Sequence, residues 1–153
     1  MSACTFFGHR DCNDDIESEV YACVENLIRN NVAVFYVGTQ GNFDAMVHRV
    51  LKKLKVKYPH IKCNIVFAYL PDKKEVSESD SVYPEGIENV PPRFAIDYRN
   101  KWMINNSEYV VCCVKYNFGG AYKFLKFAEK QKKSVINLFN ELNKNPTENF
   151  CKF

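Results

Sequence analysis

The fold is decided by residues 95–130, AIDYRNKWMINNSEYVVCCVKYNFGGAYKFLKFAEK, which predict a helix, a strand, a glycine turn and a second helix. The strand, predicted from Tyr109 to Lys115, is apolar nearly throughout and rich in valine, as is typical of a central parallel strand covered on both faces. Gly119 and Gly120 follow it, and two adjacent glycines let a ligand approach the backbone where a helix begins. The stretch therefore predicts one wall of a pocket for a phosphorylated, nucleotide-derived small molecule.

The flanking sequence repeats the alternation of strand and helix. Apolar strands are predicted at residues 3–7, 32–37, 61–70 and 134–138, and amphipathic helices begin near Ile16 and Phe43. This order is typical of an α/β protein, here a Rossmann-like three-layer sandwich with a mostly parallel sheet of about five strands. We expect one domain over residues 1–139 and a peripheral C-terminal tail over residues 140–153.

Composition narrows the classes of partner. The chain has 153 residues, is 46% hydrophobic, and carries a net charge of +3, a small and dispersed excess that predicts neither a nucleic-acid nor a membrane partner. The lysines along one helix face are predicted to be solvated, since no aromatic residues are interleaved with them: Lys52, Lys53, Lys55 and Lys57. No apolar run approaches the ~18 residues that a bilayer requires, and we expect no signal peptide.

The cysteines indicate a reducing compartment. Seven are present, an odd number, and they form neither a CxxC motif nor a close Cys/His cluster of the zinc type. Most fall in predicted buried elements, where a free cysteine behaves as a small hydrophobic residue. We therefore expect a cytoplasmic protein without a structural metal and without a cofactor.

Three glycine-bearing turns coincide with predicted strand ends. They contain Gly8, then Gly38 with Gly41, then Gly119 with Gly120. In parallel α/β sheets ligands bind beyond the carboxyl ends of the strands, at the switch point of the topology, so these turns are expected to meet at one site. Neither GTQG nor FGGA fits the dinucleotide or P-loop pattern, which argues against a standard NAD or ATP site.

Polar side chains near these turns complete the predicted site. Arginine and histidine beside the turns suit phosphate, and Asp44 is either a first-turn carboxylate favoured by the helix dipole or a partner of ribose hydroxyls. Arg99 lies on a helix with Arg93, Asn100 and Lys101 nearby. The predicted ligand-binding residues are Gly8, His9, Arg10, Gly38, Thr39, Gln40, Gly41, Asp44, Arg93, Arg99, Asn117, Gly119 and Gly120.

The polar segment from Pro71 to Pro92 is too long for an ordinary connection and predicts either a lid or a disordered loop. We expect the base of a nucleotide to lie under it. Three tyrosines are candidates for stacking on that base, although core or surface packing is the default explanation for each: Tyr69, Tyr83 and Tyr98.

Four motifs carry a family resemblance: TFFGHR at 5–10, VGTQGNFD at 37–44, PPRFAIDYRNKWMI at 91–104 and FGGA at 118–121. In this order they resemble the SLOG superfamily, the Rossmannoid group that includes lonely-guy-type phosphoribohydrolases and nucleotide-sensing domains. The resemblance spans residues 4–138 and is closest to an uncharacterised bacterial and phage branch that shares the FxGHR start. It implies a nucleotide-derived ligand and a homodimer or higher homo-oligomer.

The same resemblance bears on catalysis. The phosphoribohydrolases carry an Arg-Lys pair, then a Gly-Gly-x-Gly-Thr turn followed by a catalytic glutamate. Arg99, Gly119 and Gly120 match that pattern, whereas Asn100 replaces the lysine, Tyr122 and Lys123 replace Gly-Thr, and Leu125 and Lys126 stand at the glutamate positions. Losing the glutamate favours a binder over a catalyst. If the chain is an enzyme, Arg99 and Glu88 are its candidate catalytic residues, with Asp44 as a further substitute.

Three hypotheses follow. The first is a domain that senses or sequesters an ADP-ribose-like or cyclic-nucleotide-like ligand. The second is an N-glycosidase or phosphoribohydrolase acting on nucleoside monophosphates. The third is a protein-interaction module with a vestigial pocket, acting through aromatic residues such as Trp102, Phe127 and Phe150.

Overall fold

Strands and helices alternate along the chain, as the sequence predicts. The structure is a computed structural model that describes residues 2–9, 12, 14–69 and 81–139. Its strands are β1 Ser2–Gly8, β2 Val32–Val37, β3 Lys62–Val66, β4 Ser81–Val82, β5 Tyr109–Cys113 and β6 Ser134–Asn137. Its helices are α1 Glu17–Arg29, α2 Gly41–Lys57, α3 Pro92–Asn105 and α4 Gly120–Lys130, with single 3₁₀ turns at Asp14–Ile16 and Ile87–Asn89.

The six strands form one parallel sheet in the order β4-β3-β2-β1-β5-β6. The chain moves outward from β1 to β4 on one side, and then crosses back through α3 to place β5 on the other side of β1. This topology confirms the predicted Rossmann-like α/β fold, with six strands where about five were expected. The additional strand, β4, is only two residues long and lies in the segment predicted to be a loop.

Successive residues of the central strands pack on opposite faces of the sheet, because side chains alternate along a strand. Phe6 and Val111 belong to the core beneath α1 and α2, whereas Phe7 and Val110 pack with Phe124 of α4. The two cores give the three layers. Both faces are covered, which explains the continuous apolar sequence of β1, β2 and β5.

Two predicted strands end earlier in the structure. The strand predicted over 61–70 ends at Val66. The next residue still contacts the β4 side, since the Phe67 amide donates to the carbonyl oxygen of Val82 and the Phe67 ring stacks on Tyr83. The strand predicted to reach Lys115 ends at Cys113. There the Asn137 side-chain amide takes over the pairing, since it accepts from the Val114 amide at 3.0 Å and donates to the Val114 carbonyl oxygen at 3.1 Å.

Several predictions fall on residues outside the described ranges. They are the Arg10 contact, much of the predicted lid and the C-terminal tail with Phe150. Among the described residues, no helix combines the length and the apolar character that crossing a bilayer requires.

Candidate functional site

A cavity of about 400 Å³ lies at the carboxyl ends of β1 and β5. These are the strands on either side of the point where the chain reverses its direction of travel across the sheet. Ligands of open α/β sheets bind at such a switch point. The volume lies within the range of small-molecule sites, roughly 300–1,000 Å³.

The cavity brings together residues from four separate stretches of the predicted site. Seven predicted ligand-binding residues line it: Gly8, His9, Gln40, Asp44, Arg99, Gly119 and Gly120. Five others do not, namely Gly38, Thr39, Gly41, Arg93 and Asn117, and Glu88 is also absent from its walls. The described part of the predicted lid, residues 81–92, does not line it either.

Arg99 is the largest fully buried side chain of the described residues, with 1% of its surface exposed. Its Nε donates to Oδ1 of Asn100 at 2.9 Å, and its Nη1 donates to the Val66 carbonyl oxygen at 3.2 Å and to Oγ1 of Thr39 at 3.3 Å. Those bonds tie α3 to the ends of β2 and β3. Nη2 makes no hydrogen bond to the part of the chain that the structure describes, and the residue lines the cavity.

Asp44 lies beside Arg99 in the first turn of α2 and is 8% exposed. Burial raises its pKa to about 6, against the lowering effects of the Gln40 amide, Arg99 and His48. Burial likewise lowers the pKa of Arg99, and the charge of Asp44 opposes this shift. Each of the two charges thus affects the pKa of the other group, although the side chains form no ion pair within 4.0 Å. A carboxyl group that titrates near neutral pH can hold or release a proton at this wall.

Two side chains of α2 form hydrogen bonds with the backbone of the turn between β2 and α2. The Gln40 amide donates to Oδ2 of Asp44 at 2.8 Å, and Nε2 of His48 donates to the Gly38 carbonyl oxygen at 3.0 Å. A methyl group on Gly38 would lie 2.9 Å from Oδ2 of Asp44 and 3.1 Å from Cζ of Arg99. Glycine at position 38 is therefore explained by the packing of these two charged groups.

Gly8 also has a packing explanation. A methyl group there would lie 2.6 Å from Cγ of Phe43, a ring that is buried at the start of α2. The end of β1 and the first turn of α2 thus approach each other closely. This contact fixes one edge of the cavity.

The start of α4 differs from these two turns. Gly119 has φ 89°, a conformation that favours glycine, and Gly120 begins the helix. A methyl group on either glycine would meet no atom within 4 Å. No side chain of the described residues caps the helix, and its first i→i−4 bond runs from the Lys123 amide to the Gly119 carbonyl oxygen. The earlier amides of the turn are thus uncapped donors at an open surface of the cavity.

His9 connects the two sides of the switch point. Its Nε2 accepts from the backbone amides of Lys115 and Tyr116, at 2.9 and 3.3 Å. The acceptor nitrogen requires the tautomer with the proton on Nδ1. His9 was predicted as a phosphate partner, and the structure gives it the additional task of holding the β5–α4 loop.

Aromatic residues of that loop were missed by the sequence analysis. Tyr116 and Phe118 line the cavity, and their rings stack with centroids 5.3 Å apart. The tyrosines considered as base partners lie elsewhere. Tyr69 and Tyr98 donate to the carbonyl oxygens of Pro92 and Glu85, and Tyr83 stacks on Phe67. The signal available in the sequence was the alternation of aromatic residues directly before the glycine pair.

The aromatic residues of the interaction hypothesis form a different surface. Trp102 and Phe127 line a groove on the outer side of α3 and α4. The Trp102 ring also packs edge-on against Tyr36, with centroids 5.4 Å apart. In the described residues, no group of three or more His, Cys, Asp or Glu side chains is arranged to hold a metal ion.

No model of a known protein family matches the sequence, and no curated protein matches it. Among solved structures, the chain is similar to DNA processing protein A (DprA) from Streptococcus pneumoniae, with a TM-score of 0.63 and 17% sequence identity over 88% of this chain. The match covers 49% of the DprA chain, so the sequence spans about half the length of that protein. The likeness supports the Rossmann-like fold.

Proposed function

We propose that the switch-point cavity binds a nucleotide-derived, phosphorylated small molecule of the ADP-ribose or cyclic-nucleotide type, and that the protein senses or sequesters it. One observation carries the proposal. The uncapped start of α4 and the buried guanidinium of Arg99 line the same cavity, at the place where α/β folds bind ligands. Membership of the SLOG superfamily is part of the same proposal.

The phosphate would be held at the first turn of α4. Amide groups there point outward without partners in the helix, and the helix dipole favours negative charge at this end. The space around Gly120 is open, which lets phosphate oxygens approach the backbone closely. Arg99 would contribute a charge-assisted bond through Nη2, a geometry suited to phosphate.

The carboxyl group of Asp44, which lies beside Arg99, suits the sugar of a nucleotide. Asp44 already accepts from the Gln40 amide through Oδ2. Oδ1 remains for a ribose hydroxyl, which donates to a carboxylate. In this proposal the phosphate binds on the α4 side and the ribose on the α2 side of the cavity.

The proposal is tested by calorimetry, which measures the affinities of the parent protein and of Arg99→Met for AMP, 3′,5′-cyclic AMP and ADP-ribose. Charge-assisted hydrogen bonds contribute about 1.5–3 kcal/mol, so we expect the variant to bind at least roughly tenfold more weakly. Arg93→Met is the matched control, because Arg93 is exposed at the start of α3 and lies outside the cavity. Thermal unfolding of both variants verifies that the fold persists.

Two results would reject the proposal. One is the absence of binding by any of the three compounds at millimolar concentration. The other is equal loss of affinity in Arg99→Met and Arg93→Met, which would indicate a general charge effect.

A second candidate function is cleavage of the N-glycosidic bond of a nucleoside monophosphate. It is favoured by Asp44, because a buried carboxyl group with a pKa of about 6 can donate a proton to a departing base near neutral pH. Arg99 lies beside it and would stabilise the charge at the phosphorylated ribose. Asp44 would then take the part that the phosphoribohydrolases give to their glutamate.

Release of free adenine from AMP, followed by chromatography, tests this candidate. We expect Asp44→Asn to abolish release, whereas Glu88→Gln should leave it unchanged, since Glu88 is exposed on the 3₁₀ turn outside the cavity. Intact AMP after prolonged incubation with the parent protein would exclude this activity and leave the binding proposal standing.

The likeness to DprA, which is named for DNA processing, also raises nucleic acid as a ligand class. We propose the small molecule because the anion-binding features line a cavity of about 400 Å³, the size of a small-molecule site.

A further inference from the structure

Two aromatic rings stand exposed at the mouth of the cavity. Phe118 is 67% exposed, more than any other described aromatic side chain, and Tyr116 is 39% exposed. The fold does not use the ring of Phe118, which is absent from both apolar cores and from the residues packed against them. An aromatic side chain held in water next to a cavity calls for a reason beyond folding.

The rings are ordered by contacts on one side. The His9 and Tyr116 rings lie 5.0 Å apart between centroids, and the Tyr116 and Phe118 rings follow at 5.3 Å with 26° between their planes. Because Nε2 of His9 also accepts from the backbone amides of Lys115 and Tyr116, the row is anchored at the residue that follows β1. Phe118 is the outermost ring of the row.

The row lies directly beside the proposed phosphate site. Phe118 precedes Gly119 and Gly120 in sequence, and all three residues line the cavity together with Tyr116. A ligand with its phosphate on the first turn of α4 therefore has a flat apolar surface within reach of the group at its other end.

We propose that Tyr116 and Phe118 form a stacking platform for the nucleobase of the bound ligand. The inference rests on the proposed binding function and deepens it, since it places the base on the β5–α4 loop and away from the predicted lid. Stacking on an aromatic ring accepts any base, because every base has a π-face. The site would thus select a phosphorylated ribose that carries a base over the same sugar phosphate without one.

No tyrosine considered in the sequence analysis competes for this role. Tyr69 and Tyr98 are engaged by backbone carbonyl oxygens, and Tyr83 is stacked on Phe67. None of the three lines the cavity.

The test compares AMP and ADP-ribose with ribose 5-phosphate by calorimetry, in the parent protein and in Phe118→Leu. We expect the parent to prefer both nucleotides, and Phe118→Leu to weaken their binding about tenfold. Affinity for ribose 5-phosphate should remain unchanged in the variant. Phe94→Leu is the matched control, since Phe94 is another exposed phenylalanine, 50% accessible, on the outer groove of α3.

A second measurement, made at a protein concentration that saturates AMP in each variant, reports the surroundings of the base directly. Proton NMR of AMP in the presence of the protein should show an upfield shift of the base protons, which Phe118→Leu reduces and Phe94→Leu preserves. The proposal is overturned if the parent binds ribose 5-phosphate as tightly as AMP, or if Phe118→Leu lowers both affinities equally. Failure of all three compounds to bind would instead overturn the proposed function, and this inference with it.

Discussion

Arg99 and Asp44 show how burial changes the chemistry of single side chains. Each is almost excluded from solvent, and burial shifts both pKa values towards the neutral form. The guanidinium retains hydrogen bonds to Thr39 and Val66, which offset part of the cost of burying its charge. Two charged groups kept at such cost beside a cavity are typical of functional sites.

Stability should therefore depend on pH through Asp44. Its pKa is about 6 in the folded protein and 3.8 as the ordinary value, so the folded state holds the proton more tightly. The folded state thus loses stability as the pH rises from about 4 through 6, by about 3 kcal/mol in total. Asp44→Asn removes this titration while keeping an oxygen that accepts from the Gln40 amide. We expect its free energy of unfolding, relative to the parent, to rise by up to that amount between pH 4 and pH 7.

Urea unfolding at several pH values between 4 and 8 measures the difference. Parallel curves for the parent and Asp44→Asn would show that Asp44 has an ordinary pKa in the folded state.

At the scale of elements, the two glycines at the start of α4 are expected to differ in what they contribute to stability and to ligand binding. Gly120 has an ordinary backbone conformation and open space around it, whereas Gly119 has a positive φ. Of these two residues, only Gly119 has a backbone conformation that favours glycine.

Gly120→Ala should accordingly preserve or raise the free energy of unfolding, by about 0.4–1 kcal/mol, because alanine has fewer conformations in the unfolded chain. The added methyl group would enter the space assigned to phosphate, and we expect affinity for AMP to fall roughly tenfold, as for the loss of one charge-assisted bond. Gly119→Ala is the contrasting variant, since it should lose about 1–2 kcal/mol of stability. Unfolding curves and calorimetry on both proteins decide the matter, and unchanged AMP binding in Gly120→Ala would remove phosphate from this turn.

The sequence predicted the alternation of strands and helices and the rim where the turns meet, because apolar runs and glycines are local signals. It did not predict why Gly8 and Gly38 are glycines. Their neighbours, Phe43 for one and Asp44 with Arg99 for the other, come from elements whose approach is fixed only by tertiary packing. The same limit applies to Arg93, which lies on the same helix as Arg99 but outside the cavity, and to Phe118, whose exposure no local pattern reveals.

At the scale of the whole molecule, the lysine-rich face of α2 is already engaged. Lys53 and Lys57 pair with Glu17 and Glu25 of α1, at 3.5 and 2.7 Å, and Lys55 donates to the carbonyl oxygens of Pro59 and Ile61. Such exposed pairs each contribute at most about 1 kcal/mol to stability. These pairs do, however, place the carboxylates of Glu17 and Glu25 next to the lysines, which lowers the positive charge of this face.

With a net charge of only +3, the protein should not bind DNA through this face. Fluorescence polarisation with labelled single-stranded and double-stranded oligonucleotides at 150 mM salt should show no binding at 10 µM protein. Binding that weakens steeply with added salt, and that Lys52→Gln reduces, would contradict this prediction.

His9 has one further consequence. Its side chain, directly after β1, holds the backbone of the loop after β5, so this loop cannot move away from β1 unless two hydrogen bonds break. We therefore expect the entrance of the cavity to have the same width in the ligand-free and the ligand-bound protein. Ligands would therefore be selected by size at the entrance, and binding would cost little conformational entropy in this loop.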